Sequence, residues 1–209
     1  RQEVDTLRTQ FKTEAQGIRG TASTTVKEKR EDLKNEIEAK RAAMKTQIEA
    51  KQAEFKASLQ RIKDERKKQL TEKIDSELQR LNKNRTDHFS NVLDKLILMV
   101  DRITSRADKA AGRGLDVSAA RTAIDAAKAA IKVAQDAVLA QAGKTYTITV
   151  TDETTLKRNI EAVRKALHDD LKALHEKVKA AYEAVRKAAV TLAQIPKVDD
   201  DKDEDDDHA

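Results

Sequence analysis

The 209 residues contain no cysteine and no tryptophan, a single proline, five glycines and only 2% aromatic residues. Without cysteine there is no disulfide, thiolate metal centre, iron–sulfur cluster or thiol nucleophile. No apolar run approaches the roughly 20 residues that cross a bilayer as a helix. A glycine-rich phosphate loop, a GxSxG elbow and a dinucleotide fingerprint are all missing. The four histidines, His88, His168, His175 and His208, include no i,i+4 pair and no HExxH pattern. His168 and His175 share a helical face but stand about 10 Å apart along it, too far to chelate one ion directly. Carboxylates are plentiful, yet a catalytic pair needs a shielded pocket that separates two pKa values, which narrow helical seams rarely supply. We therefore expect no enzymatic activity, no cofactor and no metal site.

What the chain does have is charge and helix-forming residues. Charged residues make up 38% of the sequence, and Ala, Glu, Lys, Leu and Arg dominate, the profile of long helices or coiled coil. A disordered chain can be equally charged, but it lacks the sustained apolar spacing found here. The charge is uneven. Residues 199–209 hold eight acidic residues and one Lys, a net −7 within a total of +5, so residues 1–198 carry +12.

The apolar spacing is an eleven-residue repeat from Thr25 to Gly112. Its second column is apolar in every row: Val26, Ile37, Ile48, Leu59, Leu70, Leu81, Val92 and Ile103. Eleven residues make three turns at about 3.67 residues each, close to a relaxed α-helix, so one face stays aimed at a partner over a long distance. Unbroken, this helix would be roughly 130 Å long at about 1.5 Å per residue. Leu33, Met44 and Phe55 add a second column, and Ile62, Ile74 and Leu78 shift the stripe slightly. A stripe this narrow suits one partner helix. The expected arm interface is Val26, Leu33, Ile37, Met44, Ile48, Phe55, Leu59, Leu70 and Leu81. Arg61, Lys63, Arg66, Lys67 and Lys68 form the densest cationic patch and are the candidate contacts to an anionic polymer or membrane surface. Aromatic interleaving for base stacking is missing, so nucleic acid is not expected.

Four segments follow from these patterns. Residues 1–24 read as a short helix, with Val4, Leu7 and Phe11 on one face, and a joint at Gly17–Thr24. Residues 25–88 read as the coiled-coil arm, opened by the capping-box spacing Thr25-x-x-Glu28. The polar run Asn82–His88, poor in helix formers, reads as a solvated stretch inside a continuous helix, with a bend or hinge as the alternative. Residues 89–196 read as a three-helix bundle with an extended connector at 144–151. There Val92, Leu93, Leu96, Ile97, Leu98, Met99 and Val100 leave few polar directions. Gly112-Arg113-Gly114 ends the helix, and Asp116 can cap the next. Ala120, Ala127 and Ala134 alternate with larger apolar residues and allow close helix approach. In the connector, Tyr146, Ile148 and Val150 face one side and threonines the other. If the connector runs back to about Leu70, the last helix, Glu153 to Ala193, lies parallel to residues 70–111. Residues 197–209 read as a disordered acidic tail, with weak, nonspecific cation binding or shielding of the basic body as the alternatives. The expected fold is all-α: a long eleven-residue-repeat coiled-coil arm leading into an elongated three-helix bundle, with one short extended segment.

The stretches NRTDHFSNVLDKL, QAGKTYTITVTDE and LAQIP resemble segments of uncharacterised, exported coiled-coil proteins of environmental bacteria, over residues 80–197. The resemblance implies export and transfers no function or site. The start at Arg1 rather than Met fits a removed signal peptide as well as a fragment, and we prefer a periplasmic or cell-surface location to a cytoplasmic one. We expect a non-enzymatic structural or interaction protein, a helical spacer or oligomerisation module with a homo-oligomeric or helical protein partner. The alternatives are binding of an anionic polymer or membrane surface through the basic arm, and a holdase-like chaperone.

Overall fold

A computed structural model describes residues 31–196 and residue 198. The expected short helix and joint of residues 1–24, the capping box at Thr25, the arm residue Val26 and residues 197 and 199–209 of the acidic tail lie outside the described residues. Five helices pack together, and no strand occurs among the described residues. They are α1 (residues 31–43), α2 (Lys45–Ser58), α3 (Glu65–Gly112), α4 (Ser118–Ala142) and α5 (Leu156–Ala193), with a 3-10 turn at Leu59–Arg61 between α2 and α3. No helix is long and apolar enough to cross a membrane among these residues.

The arm is not one rod. Met44 marks a slight irregularity, but the hydrogen bonds Met44 N–H to Lys40 O and Ile48 N–H to Met44 O carry the helical ladder through it. The real break comes at Ile62–Asp64. Ile62 turns extended at φ −89°, ψ 117°, and Asp64 at φ −77°, ψ 111° caps α3 by accepting the N–H groups of Arg66 and Lys67. The chain then doubles back. Arg41 meets Thr86 at 2.8 Å and Asp87 at 2.9 Å, a pairing centred on the break, so α1 runs antiparallel to α3. The expectation of an unbroken arm is thereby corrected. Ile62 is buried beside Phe55, Leu59 and Leu78, and this apolar burial favours the reversal.

The other helices are set by constant offsets. Lys67 pairs with Glu153, Phe89 packs against His175, and the Arg113 guanidinium donates to Val198 O, all at nearly one sequence separation. α5 therefore runs parallel to α3. α4 runs antiparallel to both, entered through Gly114 at φ +81° and an Asp116 side chain that accepts the Ser118 N–H. Its alanines Ala120, Ala127 and Ala134 are fully buried, as are Ala181 and Ala188 of α5, and small side chains let these two axes approach closely.

Apolar burial falls into two clusters. One holds Leu33 and Ile37 of α1 with Leu93, Leu96, Ile97 and Val100 of α3 and the facing residues of α4 and α5. The other gathers Phe55, Leu59 and Ile62 around Tyr146, Ile148 and Val150 of the connector, Leu78 of α3, and Leu156 and Leu167 of α5. Where α4 stops at Ala142, the connector takes its place beside α3. A Cβ on Gly143 would sit 3.2 Å from Cε of Lys40, so α1 crosses closely over this junction.

Candidate functional site

Between the two apolar clusters lies a buried polar layer. Asn82 of α3 donates through Nδ2 to the carbonyls of Gln141 (3.3 Å) and Lys144 (3.1 Å), and its Oδ1 accepts from Nε2 of Gln141 at 2.9 Å. Gln141 also donates to the Tyr146 hydroxyl at 2.6 Å, which in turn donates to Oδ2 of Asp170 on α5 at 2.5 Å. Lys144 closes the chain by pairing with Oδ1 of Asp170 at 2.8 Å. On the other side, Thr86 donates to the carbonyls of Asn82 and Lys83 and accepts from Arg41. Burial pushes the Tyr146 phenol above the ordinary tyrosine range, and the Asp170 carboxylate adds to this. Burial would also raise Asp170, but its hydrogen bonds from Lys144 and Tyr146 outweigh that and hold it low. Asp87 follows the same logic, with Lys83 and Arg41 overcoming burial. A satisfied polar layer between apolar clusters fixes register, since any slip leaves buried donors and acceptors unmade. The reading of Asn82–His88 as a solvated stretch inside a continuous helix is corrected in part: Lys83, Asn84, Arg85 and His88 are exposed on α3, but Asn82 and Thr86 are buried and tie four elements together.

Beside this layer an open groove of about 590 Å³ runs between α3 and α5. Its floor is apolar, with Ile74, Leu78, Leu81 and Phe89 from α3 and Leu167 and Leu171 from α5. Its edges carry Arg85, Arg164, Lys172, His168 and His175, against the single carboxylate of Glu77 among the described residues. The apolar face extends past the groove. Leu70 (57% exposed), Leu81 (43%) and Met99 (48%) lie on one side of α3 at spacings of eleven and eighteen residues, which are three and five whole turns. Tyr182, 53% exposed, sits seven residues beyond His175 on the same side of α5.

The expected arm interface therefore divides. Leu33, Ile37, Phe55 and Leu59 are buried within the chain itself, and Met44 and Ile48 are half-buried, whereas Leu70 and Leu81 face solvent. The break at Ile62–Asp64 is the cause, because it puts α1 and α2 on one side of α3 and leaves the repeat column of α3 on another. The cationic patch divides too. Arg61 donates to the Val150 carbonyl at 3.1 Å, Lys67 pairs with Glu153 at 2.5 Å, and Lys68 pairs with Glu65 at 3.7 Å. The Glu153 hydrogen bond raises Lys67 above its ordinary value. Lys63 and Arg66 remain exposed.

Gln141, Asp170 and Tyr182 are placed by the structure alone, whereas Asn82, read as solvated, is buried and Met99, read within the run enclosed by the bundle, is exposed. Only their spacing on helical faces is visible beforehand. No group of three or more His, Asp or Glu side chains could hold a metal ion among the described residues. Comparison with protein-family models, with curated proteins and with solved structures finds no match to this chain.

Proposed function

We propose that this protein is a non-enzymatic helical interaction module, in which a locked helical scaffold presents the α3–α5 face to a protein partner. The observation that carries this reading is the division of the repeat column. Leu59 is buried in the fold, while Leu70 and Leu81, in the same column, are exposed together with Met99 and Tyr182. Large apolar side chains aligned on one face over several turns mark an interaction surface more than scattered ones do. The displaced titratable groups support a structural rather than a catalytic role. Asp116 and Asp152 cap backbone N–H groups, and Asp87 and Asp170 pair with cations that hold elements in place.

The test uses a photoreactive residue at position 81 and, as control, at the exposed Lys132 on α4, each exposed to extract of the source cells. Cross-linking of a protein at position 81 that is saturable and missing at 132 is the expected result. Equal labelling from both positions, or none from 81, rejects the reading.

A further inference from the structure

The α3–α5 face has a charge pattern as well as an apolar stripe, and the two together describe an occupant. We infer that the partner is an amphipathic α-helix with acidic flanks, lying along the α3–α5 seam; this rests on the reading of the protein as an interaction module. Two parallel helices leave a furrow whose natural complement is a third helix, since ridges of one pack into the grooves of the others. From Leu70 to Met99 the exposed apolar positions span about 44 Å at 1.5 Å per residue, the length of a helix of about 29 residues. A partner helix with apolar residues at spacings of three and four would meet Leu70, Ile74, Leu81 and Met99 from α3 and Leu171 and Tyr182 from α5.

Charge selects the flanks. Arg85, Arg164 and Lys172 border the groove and none of them makes an ion pair with a described carboxylate, while Glu77 is the only acidic residue lining it among the described residues. Asp169, next to this edge, is engaged by Lys165 at 2.5 Å, and it also feels His168 and Lys172. Elsewhere on the surface, lysines are repeatedly matched to carboxylates one turn away, as in Lys83–Asp87, Lys132–Asp136 and Lys179–Glu183. At the groove edge Arg85, Arg164 and Lys172 lack such a partner among the described residues and stand together around an apolar floor. A helix flanked by Glu or Asp would supply the missing charge, and one flanked by Lys or Arg would meet like charge along its length. The same cations argue against a second copy docking groove to groove.

The experiment uses the full chain and two synthetic 28-residue helices with identical leucine spacing, one flanked by glutamate and one by lysine. Fluorescence anisotropy reads the affinity, and circular dichroism reads helix formation in the peptide. The expected result is saturable one-to-one binding of the glutamate-flanked peptide, at least about tenfold tighter than the lysine-flanked one. The triple charge reversal Arg85→Glu, Arg164→Glu, Lys172→Glu should invert that preference. Leu81→Asp, with circular dichroism checking that the fold is kept, should weaken binding at least about tenfold. Binding that ignores flank charge but is lost with Leu81→Asp overturns the acidic partner and leaves the interaction reading standing. Indifference to Leu81→Asp overturns both. Binding of phosphatidylglycerol vesicles, without binding of either peptide, would replace the helix with a membrane surface.

Discussion

The carboxylate of Asp75 on α3 accepts the backbone N–H of Ile148 at 2.9 Å, across 73 residues of chain. Both residues are buried, and this bond pins the connector to α3 halfway between the polar layer and the Lys67–Glu153 pair. Burial raises the Asp75 carboxyl above its ordinary value of 3.8, with the Ile148 N–H pulling the other way. A carboxyl raised on folding stabilises the fold below the unfolded value, and this contribution is lost as pH rises through the raised folded value. Asp75→Asn keeps an acceptor for Ile148 without the buried charge. At pH 7 it should melt above the wild type, with the difference disappearing below about pH 3.8. Asp75→Leu should instead cost about 1–3 kcal/mol, because the Ile148 N–H is then unmade. A lower melting temperature for Asp75→Asn at pH 7 would contradict this assignment.

Tyr146→Phe removes the hydroxyl that links Gln141 to Asp170. The loss should be about 1–3 kcal/mol, since Gln141 is left buried with one donor unmet. The phenol pKa is raised on folding, so its contribution is complete below the unfolded value near 10 and lost as pH rises through the folded one. With Tyr182→Phe in place, Tyr146 is the chain's single tyrosine, and its ultraviolet titration should lie above the ordinary tyrosine range until the protein unfolds. Titration in the ordinary range with the fold intact would break the proposed layer.

Residues of one repeat column should respond very differently to truncation. Leu59→Ala and Ile37→Ala should each cost about 2–5 kcal/mol, measured by chemical denaturation, because both side chains are buried. Leu70→Ala and Leu81→Ala should stay within about 0.5 kcal/mol. A straight two-stranded arm would make all four costs similar.

That contrast also marks what the sequence reveals. The apolar column from Ile37 to Leu81, the stop at Gly112–Gly114 and the alternation of Tyr146, Ile148 and Val150 are written in residue spacing. The break at Ile62–Asp64 is not, because no glycine or proline marks it and Asp64 is an ordinary residue within a charged helix until it caps one. Its one trace is the phase shift of the stripe at Ile62 and Ile74. The polar layer escapes for another reason. Asn82 and Thr86 look solvated in a helical pattern, and only tertiary neighbours give them their partners, the end of α4 at Gln141 for Asn82 and Arg41 of α1 for Thr86. The exposed α3–α5 face likewise depends on which side of α3 the arm takes, a tertiary fact that periodicity does not carry.

The start of α5 should be sensitive to acid in the opposite sense to Asp75. Asp152 accepts the hydroxyl of Thr154 and the N–H groups of Thr155 and Thr154, which hold its carboxyl down to about 2. A carboxyl depressed on folding contributes stability above its unfolded value, lost as pH falls through the folded one. Carbon-detected titration of the side chain should show Asp152 ionised at pH 3, and Asp152→Ala should abolish the protection of the Thr154 and Thr155 amides from exchange. Protonation of Asp152 in the ordinary range would remove this cap from the account.

The most direct measurement uses the lack of cysteine. Spin labels on single cysteines at Lys34 and Asn91, exposed positions that line one cavity between α1 and α3, report whether the arm returns along its own chain. Neighbouring helix axes lie about 8–10 Å apart, so a separation on the order of 20 Å between labels is predicted. It should persist when the labelled protein is diluted into unlabelled chain. A straight arm would place the two positions about 85 Å apart at 1.5 Å per residue. That distance, or a short one that vanishes on dilution, would contradict the folded-back arm and with it the assignment of the α3–α5 face as the surface left for a partner.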